Sequence, residues 1–484
     1  MFMFAASLAI HSPPPPLHER YTCAARASMA EVEGLDCTAI SACHLLRSSQ
    51  PSHCPGPDSL SSSSASPVQL RVAKGFGTKP YSTLRVSVVE DAGSPPLNSS
   101  QFDYSAMFRY KWRANRLHSS VVSVPPGEPS PITLAPGITA QLNLPAQGSG
   151  VAGVLLADPC VHGSAVTCLF ERRYQTTSRT PALLNAFVAR DTDYWGILGD
   201  NFYDQDGSVT KSFFSQLSLT TLSTIFVSVA GNHDYWVLGS PWLGTVADQY
   251  GNGHMQYYAQ DTLAAKHLQP GSRTPPFNFS VDPKKGHSIL GGNLPAISNS
   301  FFYHQIGNVG IIGFSGAYTL DELSPLMKEA CAWLPTQPGL RLAVLVGHWD
   351  KPGAGATVDT AAPSMYEHVR SLPGCDAFDG DGMLKFVMGH THCNIPHPHG
   401  NVNTGFMVAG FGMEGCGNYG VPILDTTNDR VTFFYFPIGD LTGTDNYAQT
   451  MDCVTKNGWR ACTHLAEKWL DEPLAKRPAM DDVL

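Results

Sequence analysis

No pair of the 12 cysteines in this 484-residue chain is spaced Cys-x-x-Cys. That absence leaves a zinc ribbon or a thioredoxin-type redox site unsupported. No run of about 18 apolar residues occurs, so no transmembrane helix is expected. Charge is sparse, with 15% of residues Asp, Glu, Lys or Arg, and acidic residues outnumber basic ones by 40 to 31. A chain with net charge −9 and no dominant basic patch is not expected to take nucleic acid as its main partner. No internal repeat stands out. What is present in quantity is glycine (45) and proline (37), which points to many turns and long connections. The 43% hydrophobic content is that of a globular protein and excludes wholesale disorder.

The chain divides by texture. Residues 1–67 open on an apolar stretch, Met1 to Ile10, and continue through Pro13–Pro16 and Ser61–Ser64. Such a segment buries too little surface to offset chain entropy, so it reads as a disordered leader with a targeting role in view. The apolar start favours secretion or endomembrane entry. No Lys or Arg precedes Arg20, and Met29 as the start would leave the cytosol as the alternative. Asn98-Ser99-Ser100 and Asn278-Phe279-Ser280 fit the glycosylation acceptor pattern, which chance also produces. Cys453 and Cys462, nine apart, can close a small loop or stand as free thiols. Residues 68–150 carry short β-like runs, such as Leu84–Val89 and Ile138–Leu142, between Pro/Gly turns, and read as a β-rich accessory region.

From Val151 the rhythm changes to strand, turn, helix, strand. Apolar strand runs are expected at Val151–Ala157, Tyr194–Leu198, Thr224–Ala230, Val309–Phe314, Leu342–Val346 and Leu384–Met388. A helix is expected to start at Thr180-Pro181, with the cap before the proline, and another over Asp321–Leu334. Alternation of this kind predicts an α/β layered fold over 151–440, followed by a C-terminal tail, 441–484. Residues 238–300 break the rhythm. This long insert, with Tyr250, Tyr257, Tyr258 and Phe277, reads as a substrate wall or lid.

Five strand ends carry candidate metal ligands: Asp158, Asp200, Asn232, His348 and the pair His390/His392. Parallel strands bring such ends to one sheet edge, where α/β folds bind ligands. Glycine precedes the ligand in four of the five turns (Gly199, Gly231, Gly347, Gly389), which suits sharp turns and close backbone approach. Carboxylate, amide and imidazole donors together suit first-row metals. Singly, each residue has a duller reading. An Asp after a strand is often a cap or turn residue, and a lone His is often a satisfied core residue. The ordered set is harder to dismiss. Six donors exceed what one ion needs, so two metals sharing a carboxylate is the economical arrangement.

The series Asp158, Gly199-Asp200-Asn201-Phe202-Tyr203, Gly231-Asn232-His233-Asp234, Val346-Gly347-His348 and Gly389-His390-Thr391-His392 resembles the calcineurin-like metallophosphoesterases. Within them, Gly-Asp-Asn-Phe-Tyr is similar to the purple acid phosphatase branch. The resemblance covers about 151–440. It implies a two-sheet β-sandwich flanked by helices, with two metal ions at the sheet edge. Asp158, Asp200, Tyr203 and His392 would hold the first metal, Fe³⁺. Asp200 would bridge to a second (Fe²⁺, Zn²⁺ or Mn²⁺) held with Asn232, His348 and His390. His233 would be the proton donor to the leaving group. The activity implied is hydrolysis of phosphate monoesters on a small substrate, by attack of a metal-bridging hydroxide. A phosphodiesterase, or a non-catalytic scaffold on the same fold, are the alternatives. An extracellular surface or adhesion protein built on the leader and the β-rich region is a third. Three departures stand out. Cys160 occupies the slot where many members carry histidine, His162 lies beyond it, and Trp349-Asp350 and Cys393-Asn394-Ile395 follow the later histidines.

Overall fold

The computed structural model describes residues 68–74, 80–90, 97, 102, 104–110, 113–159, 161, 171–201, 208–235, 281–286, 293–295, 300–353, 356–397, 404–408 and 416–475. The leader 1–67, most of the 238–300 insert, Cys160, His162 and Tyr203 lie outside the described residues. No helix among the described residues is long and apolar enough to cross a membrane.

Two six-stranded mixed sheets form the centre. The first runs Glu467–Pro473, Arg430–Gly439, Tyr419–Asp425, Ala152–Leu156, Tyr194–Leu198, Ile225–Val229, and its last three strands are parallel. The second runs Phe301–Ile306, Val309–Phe314, Leu342–Val346, Leu384–Met388, Gly405–Val408, Asn394–Pro396, with its four middle strands parallel. Strands such as YWGIL, IFVSV and LAVLV are buried at every position. Continuous apolar runs of this length are what strands covered on both faces require.

The two sheets face each other. Phe406 of the second stacks on Phe433 of the first at 4.3 Å between centroids. Three residues along the same strand, Phe436 points to the opposite face and meets Phe187 of the helix Thr176–Val188 edge-on at 5.0 Å. On the second sheet, Phe386 meets Tyr366 of the helix Ala362–Val369. Helices therefore cover the outer faces of an α/β two-sheet sandwich, the fold class expected from the sequence. The disulfide Cys331–Cys375 staples the helix Leu320–Trp333 to the helix Cys375–Gly380, and Cys453–Cys462 closes the short loop considered above.

Two local expectations need correction. The helix expected from Thr180 begins at Thr176, with Pro181 inside it. Thr176 and Thr180 are both fully buried, so tertiary packing sets the start in place of the proline signal. The strand Glu467–Pro473, beyond the boundary expected at 440, is the edge of the first sheet. Its burial alternates poorly and its sequence is charged, as an edge strand tolerates.

Ahead of the sandwich, Gln69–Lys74, Thr83–Glu90, Arg113–Ser123 and Tyr104–Tyr110 form an antiparallel four-stranded sheet, and Ser130–Ala135 with Ile138–Leu142 a hairpin. One hydrophobic core runs through all of this, from Val68 and Leu70 to Leu470. The Arg71 guanidinium lies over the Phe214 ring at 3.5 Å. The Tyr81 hydroxyl accepts from the Gly307 N–H at 2.7 Å and donates to the Pro145 carbonyl at 2.9 Å.

Candidate metal centre

The parallel strands of each sheet end on the same edge. Three ends of the first sheet deliver Asp158, Asp200 and Asn232, and two ends of the second deliver His348, His390 and His392. Donor atoms of Asp200, His348 and His390 lie within 4.8 Å of one another. Those of Asp158, Asp200 and His392 do the same. Asp200 is common to both groups. Asn232 Oδ1 lies 3.3 Å from His348 Nε2, beside the first group.

The backbone bends hard to achieve this. Eight non-glycine residues among those described have positive φ, and four are here: Asp158 (46°), Asp200 (48°), His390 (71°) and His392 (56°). Each costs on the order of 1–3 kcal/mol for a residue with a side chain, so strain is concentrated where the donors converge. The left-handed turns are what let His390 and His392, only two apart, reach different groups. Gly199 has φ 89°, and a Cβ there would sit 2.4 Å from His348 Nδ1. A Cβ on Gly231 would sit 2.4 Å from Asp200 Oδ1. Both turns need glycine because a donor side chain fills the space.

Hydrogen bonds then orient the donors. His348 Nδ1 donates to the Leu198 carbonyl at 2.9 Å, which turns Nε2 toward Asp200 Oδ2 at 3.3 Å. Metal-binding histidines are held in this way, with the far nitrogen on a backbone carbonyl. The His390 N–H donates to Asp158 Oδ2 at 2.9 Å, and His392 Nε2 lies 3.3 Å from Asp158 Oδ1. The His233 N–H donates to Asp200 Oδ1 at 2.7 Å, leaving its half-buried side chain beside the donors. The Trp349 ring packs edge-on against His348 at 5.3 Å and lies 6.5 Å from His390, so a buried wall stands behind the histidines.

Two residues quoted within the motifs, but given no role from sequence, tie the turns together. Asp234 accepts from the N–H of Gly231 (2.7 Å), the N–H of Asn201 (3.0 Å) and Asn201 Nδ2 (2.8 Å). Ser228 Oγ donates to Asn201 Oδ1 at 3.1 Å. Nothing in spacing identifies this pair. A buried polar group that must be satisfied is the reason for it, and partners are set only by the fold.

The electrostatics are those of a crowded donor set. Burial opposes charge on Asp200, yet His348 and His233 pull its pKa well below the usual carboxylate range. Burial likewise opposes the His348 cation, but Asp200 and Asp158 outweigh it and lift the pKa to about 10. His390, buried and 3.2 Å from His348, is pushed down to about 4. Burial disfavours charge on His392, but the hydrogen bond and charge of Asp158 raise its pKa on balance. Burial and then the nearby Asp200 push Asp234 up to about 7. Two carboxylates and three imidazoles converging on one sheet edge are a donor set that suits cations. The residues fit a two-metal site.

Neither a family model nor a curated protein matches this sequence. Among solved structures, a purple acid phosphatase from yellow lupin (Lupinus luteus) seeds is similar at 13% identity and a TM-score of 0.46, over 78% of this chain and 73% of that one. The structure of PhoD is similar at 10% identity and a TM-score of 0.40, over 80% and 89%. A dimetal phosphatase from Danio rerio is similar at 12% identity and a TM-score of 0.31, over 58% and 95%.

Proposed function

We propose that this chain is a metallophosphoesterase that uses two metal ions to hydrolyse phosphate monoesters on small substrates. The observation that carries the reading is the pair of donor triads sharing Asp200. A single ion does not need two triads, and a structural carboxylate does not need three imidazoles around it. In this reading Asp158, Asp200 and His392 hold one ion, with Tyr203 as a further ligand suited to ferric iron. Asp200, Asn232, His348 and His390 hold the other, iron, zinc or manganese. Bound there, the ions supply Lewis-acid charge for phosphoryl oxygens and a water acidic enough to attack phosphorus near neutral pH.

The chain's own residues do the rest. The Leu198 carbonyl keeps His348 in the tautomer that presents Nε2. Asp158 orients the His390/His392 turn through both its oxygens. In this reading His233, whose backbone N–H donates to Asp200, gives a proton to the leaving oxygen. The buried edge keeps the reacting phosphate in a region where such charges count for more than in water.

Three disulfides among the described residues support maturation in an oxidising compartment, in keeping with secretion or endomembrane entry. The activity is tested by assaying the full chain, with zinc, manganese or iron added back, on an aryl phosphate and on the corresponding bis-aryl diester. Faster turnover of the monoester supports the reading. Preference for the diester would move the assignment to a phosphodiesterase. No turnover of either with any metal would favour the scaffold.

A further inference from the structure

The residue after His392 is Cys393, and it is disulfide-bonded to Cys416. Beside that bond, the Cys416 N–H donates to the His392 carbonyl at 3.3 Å. Two residues on, Asn394 and Asn418 exchange hydrogen bonds. The Asn394 N–H donates to Asn418 Oδ1 at 3.1 Å, and Asn418 Nδ2 donates to the Asn394 carbonyl at 2.8 Å. The Tyr174 hydroxyl donates to the Gly417 carbonyl, and Tyr419 then enters the first sheet beside Ala152–Leu156, the strand that leads to Asp158. The disulfide thus crosses the seam between the sheets. It ties the turn carrying His390 and His392 to the sheet carrying their partner Asp158.

The three described disulfides differ in access. Cys331, Cys375 and Cys462 are fully buried, Cys453 is half-buried and Cys393 nearly buried, whereas Cys416 is exposed at the surface. We propose that Cys393–Cys416 is a redox-sensitive lock on the His390/His392 turn, opened by dithiols, which sets how tightly this edge of the site holds a metal ion. The inference rests on the two-metal reading for its metal arm alone.

A thiolate of the dithiol attacks Cys416 Sγ, the Sγ–Sγ bond breaks, and Cys393 leaves as a thiolate that takes a proton from water. The second thiolate of the dithiol attacks its own first sulfur in the mixed disulfide and releases Cys416 as thiolate. The cystine gains two electrons and the dithiol becomes a disulfide. With the covalent tie gone, the turn is held by hydrogen bonds beside the exposed Cys416, and its two left-handed histidines lose a constraint that opposes relaxation.

The test uses the full chain. Graded dithiothreitol is followed by alkylation, desalting and peptide mass mapping. Amide hydrogen exchange over residues 388–397 and zinc affinity by chelator competition are measured on the product. The same two measurements are made on C393S/C416S and on the control C453S/C462S. The expected result is that Cys393 and Cys416 are alkylated before any other disulfide cysteine. Exchange over 388–397 rises, and zinc affinity falls about 10- to 100-fold in C393S/C416S, the range for losing a residue that positions a ligand. The control is expected to stay within about twofold of wild type. Earlier opening of another disulfide, or wild-type exchange and affinity in C393S/C416S, would overturn the proposal. Should the serine variant fail to fold, the alkylated wild-type chain supplies both readouts. If the wild-type chain takes up no zinc, the two-metal reading falls, while labelling order and exchange still decide this one.

Discussion

Asp158 and His392 meet across the seam of the sandwich, His392 Nε2 lying 3.3 Å from Asp158 Oδ1, each at the end of a strand in a different sheet. Neither sheet alone makes the site. Every donor set described above needs the sheets held in register.

His233 is anchored by its backbone N–H to Asp200, and its half-buried side chain is the proton donor in the proposed reaction. His233→Ala is therefore expected to slow turnover of an aryl phosphate by about 10²–10⁴-fold, the usual contribution of a positioned general acid. Metal content by elemental analysis is expected to stay at the wild-type value. Loss of metal together with activity would assign His233 to the binding set.

Asp234 takes three buried N–H donors. Asp234→Ala removes the acceptor of the Gly231 and Asn201 N–H groups and leaves Asn201 Nδ2 only the Val229 carbonyl, and an unsatisfied buried group costs about 1–3 kcal/mol. Burial of the carboxylate beside Asp200 offsets part of this. The net expectation is ~2–4 kcal/mol of lost stability in urea unfolding, with weaker metal retention because both turns loosen. An unchanged urea midpoint would show that the network is ornamental.

Metal binding should release protons. The proton His348 holds up to a pH of about 10 must leave before Nε2 can bind a cation. Affinity should therefore rise with pH across the neutral range, by about tenfold per unit for each proton displaced. Isothermal titration of zinc at pH 7 in two buffers of different ionisation enthalpy gives the count. At least one proton per chain is expected, and a count of zero contradicts the placement of His348 among the ligands.

His304 offers a test away from the site. It is buried, stacked on Phe302 at 5.2 Å, and burial with the nearby Lys74 holds its pKa down at about 3. The unfolded chain binds this proton near pH 6.5 and the folded chain does not. The stability tied to a neutral His304 is thus present above about pH 6.5 and lost as pH falls toward 3. His304→Leu should make the loss of stability between pH 6.5 and pH 4.5 shallower by ~1.4 kcal/mol per pH unit. Parallel stability–pH curves for variant and wild type would contradict this.

Much of this is legible in the amino-acid sequence. Five-residue apolar strands bounded by glycine turns announce themselves by composition, and donors at their ends follow from the sense of parallel strands. What escaped was whatever depends on partners distant in sequence. Cys331 finds Cys375 and Cys393 finds Cys416 across 44 and 23 residues, which spacing does not encode. The edge strand Glu467–Pro473 is charged and half exposed, so it carries no apolar signature. The helix start at Thr176 is set by burial against the core, which overrode a plausible proline cap. The Asn201–Asp234 pair stood within quoted motifs, but its need for a partner is visible only once both groups are buried.

In the proposed site Asp200 serves two cations. The most direct measurement is metal stoichiometry on purified full-length chain, equilibrated with zinc and analysed by mass spectrometry under native conditions, for wild type, Asp200→Asn, His348→Ala and His392→Ala. Two ions per chain are expected for wild type, one for either histidine variant, and fewer than one for Asp200→Asn. A wild-type chain that binds one ion or none, or an Asp200→Asn variant that keeps both, would contradict the account.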